Sequence, residues 1–276
     1  MKTTLAGVSE RRLCRVLAIA RTWAHRASGS RSRRPVVNEV LAARVAVLIR
    51  AHPTFGYRRL WALLRFRDGQ RLTRKTVYRL CALQGWFVHQ RAATPRPRVH
   101  GQRSRTARSN ERWAMDVTHV ACGRDGWAHL TAVIDCYDRE IIGYEFALRG
   151  RAQEAERALE EACLARFGTL RPPGPPPVIR SDNGLVFQSR RFRAACRDYR
   201  LPQEFITPYT PEQNGMIERF FRSLKEECVW QHVFHNFATA RQAVQEWIRW
   251  YNDGRPHQAL GYRSPREFRA GEIAAA

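Results

Sequence analysis

The sequence predicts an α/β fold: a mixed sheet of three antiparallel strands plus parallel strands, flanked by helices and preceded by an all-α helix-turn-helix region. Two observations carry this. From Arg112 onward, short apolar runs bounded by turn residues alternate with helix-patterned stretches in the order β-β-β-α-β-α-β-α. Before Arg112 helical spacing prevails and the charge is one-sided. Residues 1–112 carry 26 Lys and Arg against 4 Asp and Glu, whereas residues 113–276 carry 22 against 21. A basic helical part ahead of a near-neutral α/β part fits a polyanion-holding region joined to an ordinary globular domain.

The helical part reads in order as follows. Apolar residues at 13, 16, 17, 20 and 23/24 space a helix over residues 9–25, with Ser9 as its cap. Ser28 to Pro35 is polar and basic, a linker. A second helix runs from about Val37 to Ala51 and stops before Pro53. Gly56 opens a third, with Tyr57, Leu60, Trp61 and Leu64 on one face, broken by Asp68-Gly69. Thr73 caps a fourth, Arg74 to Gln84, ended by Gly85. The last three form a helix-turn-helix unit whose final helix offers Arg74, Lys75 and Arg79 to DNA. The stretch 89–112 is rich in Arg and Pro, a basic linker suited to lying along phosphates.

In the second part, Trp113 to Val120, Trp127 to Cys136 and Glu140 to Leu148 read as an antiparallel meander. A helix follows over Ala152 to Phe167, then a Pro-rich stretch and a short strand, Val178 to Arg180. A helix from about Ser189 to Tyr199, a short strand at Glu204 to Thr207 and a long helix from Pro211 complete the pattern. Thr210-Pro211-Glu212-Gln213 reads as a capping box with Pro in the first helical position. Phe237 to Tyr251 is a further helix whose aromatics are core candidates. Arg255 to Ser264 is irregular and either packs beside a site or closes the domain.

Three acids stand where chemistry is expected. Asp116 lies in the middle of the first strand, Asp182 just after the fourth, and Glu218 on the long helix, with 35 residues between the second and third. If the first and fourth strands are neighbours, their carboxylates approach across the sheet. On the helix, Asn214, Glu218, Arg222 and Lys225 share one face. Mg²⁺ and similar hard cations take oxygen ligands and leave room for water and phosphate. Two such ions can polarise an attacking oxygen and steady the leaving one in a displacement at phosphorus. The bland alternatives are turn and surface carboxylates, with Glu218 paired to Arg222 on the helix surface, and Asp135 and Asp138 as rival acids.

The composition narrows the classes further. The chain has 276 residues, 44% of them hydrophobic, enough for a core and unlike a disordered chain. Its net charge of +23 comes almost entirely from Arg and calls for a nucleic acid before an anionic membrane. Seven scattered Cys without a C-x-x-C pair read as reduced thiols, and the Cys228, His232, His235 spacing fits no standard zinc pattern. No apolar run reaches the ~18 residues of a membrane span and no signal pattern opens the chain, so a cytoplasmic, nucleoid-associated protein is expected.

The motifs Trp113-x-x-Asp116-x-Thr118, Ser181-Asp182-Asn183-Gly184 and Pro211-x-x-Asn214-Gly215-x-x-Glu218, with Lys225, resemble the D-D-E transposase/integrase superfamily. The ending Tyr251-Asn252-x-x-Arg255-Pro256-His257-Gln258-Ala259-Leu260, then Tyr262-x-Ser264-Pro265, is similar to bacterial insertion-sequence transposases of the "IS three" family, second reading frame (orfB). His52-Pro53-x-Phe55-Gly56-Tyr57-Arg58-Arg59 resembles the helix-turn-helix preceding their cores. The resemblance implies an RNase H-like integrase core over 112–270, with a helix-turn-helix domain at 36–88, a linker at 89–111 and an N-terminal helix and linker at 1–35. It implies that Asp116, Asp182 and Glu218 bind two Mg²⁺ or Mn²⁺, that water frees a 3′-OH at the element end, and that this 3′-OH attacks another phosphodiester. Lys225 would contact element-end DNA, with Arg222 and Asn214 beside it. Partners implied are DNA, further copies of the chain, and the upstream first-frame (orfA) protein, since no leucine-zipper heptads are present. Arg180 stands where many relatives have His before Ser-Asp, and Val186-Phe187 replaces a more usual Tyr near Gln188. A catalytically silent DNA-binding derivative and a same-fold nuclease without joining activity are the competing functions.

Overall fold

The computed structural model describes residues 9–20, 37–88, 106–207 and 210–275. The chain divides into two compact units, Met1–Arg44 and Val45–Ala276. In the first, helix α1 (Glu10–Val16) is shorter than the spacing predicts, for Ala18 turns to a positive φ of 52°. Positions 21–36, including the rest of that helix and the first linker, and the basic stretch 89–105 lie outside the described residues.

Helix α2 (Glu39–Ala51) is followed by α3 (Tyr57–Ala62), which widens into a π-helical turn, Leu63–Arg67. Helix α4 (Arg74–Gln84) has the predicted ends: the Thr73 hydroxyl accepts from Thr76 N–H at 3.3 Å, and Gly85 takes the left-handed φ of 68°. Val77, Leu80 and Cys81 are buried, which leaves Arg74, Lys75 and Arg79 exposed on the same helix.

The sheet has the order β3-β2-β1-β4-β5. Strands β1 (Arg112–Ala121), β2 (Trp127–Asp135) and β3 (Ile141–Ala147) form the antiparallel meander. Strands β4 (Val178–Ser181) and β5 (Gln203–Phe205) add on in parallel, β4 beside β1. The period-2 alternation of side chains then sorts two cores. Trp113 and Met115 face α5 (Ala152–Phe167) and α7 (Arg190–Asp198), packing with Leu159 and Phe192. Ala114, Leu130 and Ile134 face α8 (Gly215–Glu227) and α9 (Phe237–Asp253), packing with Phe220, Leu224 and Ile248. A Cβ on Gly143 would strike the Ala158 carbonyl, so this glycine lets β3 lie close against α5.

Two helix starts differ from expectation. The predicted capping box at Thr210 does not open an α-helix. Pro211–Asn214 form a 3₁₀ turn, and Gln213 reaches back to Thr207, accepting from its N–H at 2.8 Å and donating to its hydroxyl at 3.2 Å. The α-helix begins at Gly215. Conversely, α10 (Pro265–Ala275) was not anticipated, although Ser264-Pro265-Arg266-Glu267 forms a working cap: Ser264 N–H donates to Glu267 at 2.8 Å. A short α6 (Leu185–Gln188) also precedes α7.

Candidate active site

Because β1 and β4 are parallel neighbours, Asp116 and Asp182 come from adjacent strands. Asp116 stands on the side of β1 shared by Ala114 and Val120, the side that α8 covers. Glu218 is exposed in the first turn of α8, where the positive end of the helix dipole favours a carboxylate. Lys225 lies two turns on and is half-buried.

The electrostatics bring the four together. The Asp116 carboxyl is pushed up to about 7: burial is the largest cause and the charges of Asp182 and Glu218 add to it, against the opposing pull of the Val117 N–H and Lys225. Asp116 Oδ1 accepts from Val117 N–H at 2.7 Å, and Asp182 Oδ1 accepts from Gly184 N–H at 3.0 Å. A Cβ on Gly184 would come within 2.8 Å of Asp182 Oδ1, so glycine keeps that carboxylate free to turn. Among the described residues no three His, Cys, Asp or Glu crowd together closely enough to enclose one metal ion. Asp182 and Glu218 each lie within electrostatic reach of Asp116.

Other predicted positions fall differently. Asn214 is 2% exposed; its amide donates to the Met115 carbonyl at 3.3 Å, beside Asp116, and its Oδ1 meets no partner. A side chain buried that way is not presented to DNA, so the predicted contact from Asn214 is not what this structure offers. Arg222 is exposed and pairs with Glu226, one turn on, at 2.8 Å. The rival acids Asp135 and Asp138 are fully buried and belong to an ion cluster, with Arg166 2.8 Å from Asp138 and 3.9 Å from Asp135. They brace the fold away from the three acids. His232 spends Nδ1 on the Cys228 carbonyl at 2.8 Å, and all seven Cys are free thiols.

Sequence reasoning noted Arg180 only as a departure from the family motif and missed its role. It is 7% exposed and holds Glu204 of β5 through Nε at 3.2 Å and Nη2 at 2.9 Å. Its Nη1 donates to the Gln213 carbonyl at 3.0 Å, in the turn that leads into α8. Arg180 thus ties the strand that delivers Asp182 to the helix that delivers Glu218. A signal was present, since an arginine inside a short buried strand needs a partner there, and Glu204 was the acid in the next strand.

Comparison with known proteins agrees with this architecture. Residues 106–211 and 199–265 match integrase core domain families, and residues 37–93 match an HTH-like domain. The chain is 32% identical over 246 residues to the transposase InsD for insertion element IS2A/D/F/H/I/K of Escherichia coli, covering 87% of this chain and 81% of the relative. The InsD transposase for IS2D of the K12 strain matches equally. Among solved structures, a chain of the simian T-cell lymphotropic virus intasome in complex with PP2A regulatory subunit B56 gamma superposes with a TM-score of 0.51 at 19% identity, over 82% of this chain and 74% of that one, a likeness of fold. With its integrase-type sheet, its helix-turn-helix region and this kinship to InsD, the chain belongs to the IS3 family of insertion-element transposases.

Proposed function

We propose that this transposase cleaves and joins DNA strands at Asp116, Asp182 and Glu218 by metal-assisted phosphoryl transfer. The observation that carries the reading is the field at Asp116: Asp182 and Glu218, both distant in sequence, raise the cost of charge on this buried carboxylate, and Lys225 of α8 offsets it. An all-oxygen donor set with surplus negative charge fits Mg²⁺ or Mn²⁺, and the orphaned Oδ1 of Asn214 beside β1 adds a further oxygen. Two such ions, when bound, would polarise the attacking oxygen and neutralise charge on the leaving one.

The residues then divide the work. Asp116 and Asp182 hold the metal from the sheet and Glu218 from the helix. Lys225 takes a phosphate of the element end. In the first reaction water's oxygen bonds to phosphorus as the bond to the 3′-oxygen breaks, which leaves a free 3′-OH and a 5′-phosphate. In the second, that 3′-oxygen attacks a target phosphodiester, loses its proton to solvent, and displaces the target's own 3′-oxygen. Arg74, Lys75 and Arg79 hold DNA from α4. Pairing two ends requires further copies of the chain, and the orfA protein would supply the coiled coil.

The test is a Mg²⁺-dependent cleavage and joining assay on duplexes bearing the repeats that flank the gene, with the orfA product supplied. Glu218→Gln is expected to keep DNA affinity and to lose both reactions by at least about 100-fold. Cutting without joined products would identify a nuclease. Binding without either reaction would identify a silent DNA-binding derivative.

A further inference from the structure

Two motifs nearly 200 residues apart converge on one carboxylate. Glu227 is the last residue of α8, the helix that begins beside the acids and carries Glu218 and Lys225. Its side chain is 6% exposed. Arg255, from the Arg-Pro-His segment, donates to it through Nε at 2.8 Å and Nη2 at 2.7 Å. Arg59, from the Gly-Tyr-Arg-Arg segment on α3, donates to the same carboxylate through Nη1 at 2.7 Å. A buried carboxylate gripped from both sides is costly to leave half-paired, so the three move as one body.

Contacts around it extend the grip. The His52 ring stacks with Phe55, at 4.7 Å, and with Trp250 of α9, at 5.1 Å, and Phe55 and Trp250 also meet at 5.8 Å. Arg59 lies over the Phe55 ring at 4.7 Å, and Trp61 meets Tyr262 edge-on at 5.3 Å. The π-helical turn adds Arg67, whose Nη2 donates to the Asp253 carbonyl at 2.9 Å. Helix α4 is tied to α3 in turn: Trp61 donates to the Leu72 carbonyl at 2.8 Å, Arg74 lies over Trp61 at 5.6 Å, and Tyr57 meets Tyr78 at 5.1 Å. An unbroken series of contacts therefore links the exposed basic side of α4 to the far end of the Glu218 helix.

From this we infer that Glu227 is a positioning residue: through Arg59 it fixes the helix-turn-helix region against α8, so that DNA held by α4 meets the three acids in one register. The inference rests on the proposed function and adds to it the device that chooses which phosphate is cut. A free tether between a DNA-holding unit and a cutting unit would leave that choice loose.

The experiment compares wild type, Arg59→Ala, Arg59→Lys and Glu227→Gln on two DNAs. One is a duplex carrying the terminal repeat that flanks the gene, with cuts mapped to the nucleotide. The other is a preformed branched product, whose reversal needs the acids but no end recognition. Arg59→Ala leaves the Arg255–Glu227 pair in place. It is expected to keep duplex affinity within about threefold and to keep branch reversal, because neither uses Arg59 directly. Cutting at the native phosphate should fall by at least about tenfold, with cuts spread to neighbouring phosphates, since small misplacements cost that much. Glu227→Gln should act in the same direction, and Arg59→Lys should restore the single cut in part. Native-phosphate cutting at the wild-type rate in both Arg59→Ala and Glu227→Gln would overturn the inference. So would a uniform fall in both reactions that lysine does not rescue, which is what mere unfolding gives. A wild type inert on both DNAs would instead remove the proposed function and this inference with it.

Discussion

Gly184 and His257 show how single residues answer to their surroundings. Gly184 has an ordinary φ of −64°, so alanine there costs no backbone strain. Its effect must come from the Cβ, which would press on Asp182 Oδ1 at 2.8 Å. Gly184→Ala should therefore leave the unfolding free energy within about 1 kcal/mol of wild type. Metal-dependent cleavage should fall by at least about tenfold. Unchanged cleavage would mean that Asp182 does not need the position it holds here. His257 gives the pH dependence. Burial and the neighbouring Arg255, Arg139 and Arg59 hold its imidazole well below the usual 6.5. The native state therefore keeps it neutral while the unfolded chain protonates it. A depressed folded value means that the stability is fully present above 6.5 and is lost as pH falls. Stability should therefore fall as the pH is taken from 7.5 to 5.5. His257→Gln, which cannot take the proton, should remove that part of the slope in thermal melts between pH 7.5 and 5.5. An identical slope in the variant would show that His257 is not the group that titrates.

At the scale of elements, the local signals were legible and the tertiary ones were not. The three strands of the meander, α5, and both ends of α4 follow from alternation, spacing and caps within a dozen residues, and each forms where its pattern lies. The start of α8 does not, because Gln213 finds Thr207 instead of closing a box at Thr210. The comparable Ser264–Glu267 signal does cap its helix, so the same four-residue pattern decides nothing until the preceding loop is placed. The three acids were legible by type and spacing, and the β1–β4 pairing supplied the condition on which their approach depended. Arg180 was legible only as a buried arginine in need of a partner; its tie to the turn before α8 was not, since the Gln213 carbonyl lies 33 residues away. Its truncation makes a clear prediction. Arg180→Met removes the bonds to Glu204 and to the Gln213 carbonyl but keeps the apolar stem. It should destabilise the core by about 1–3 kcal/mol, the cost of leaving the Gln213 carbonyl without this donor and, among the described residues, Glu204 with Arg112 alone, at 3.1 Å. It should also lower cleavage more than the melting temperature alone explains, because the α8 start loses its link to β4. Cleavage that simply tracks the folded fraction would assign Arg180 to stability only.

Across the whole molecule, the step in charge near residue 112 is not a step in packing. Val45–Ala276 form one compact unit, although the charge changes from strongly basic to nearly neutral inside it. Composition reports what faces solvent or DNA, whereas compactness depends on contacts between remote residues such as Arg59 and Glu227. Helix α10 is the second device of this kind and the one most open to test. Arg266 donates to Glu140 at 2.9 Å and to Asp253 at 2.8 Å, and Arg269 donates to Glu140 at 3.3 Å. Glu140 also lies 3.2 Å from the buried Arg166, so α10 closes the Asp135–Asp138 cluster from outside. On its other side Glu267 pairs with Arg67 at 3.0 Å, which reaches the π-helical turn of the helix-turn-helix region. Exposed pairs such as that one contribute little alone, but the buried Glu140 does not tolerate losing two of its cations. A chain ending at Ser264 should therefore melt lower, by about 2–4 °C for each kcal/mol lost in a chain of this size. Hydrogen exchange should quicken at both places α10 touches, the turn Leu63–Arg67 and the β2–β3 corner around Glu140, while β1 keeps its protection. Equal melting and equal exchange would mean that α10 is an appendage and that the molecule holds its helix-turn-helix region without it.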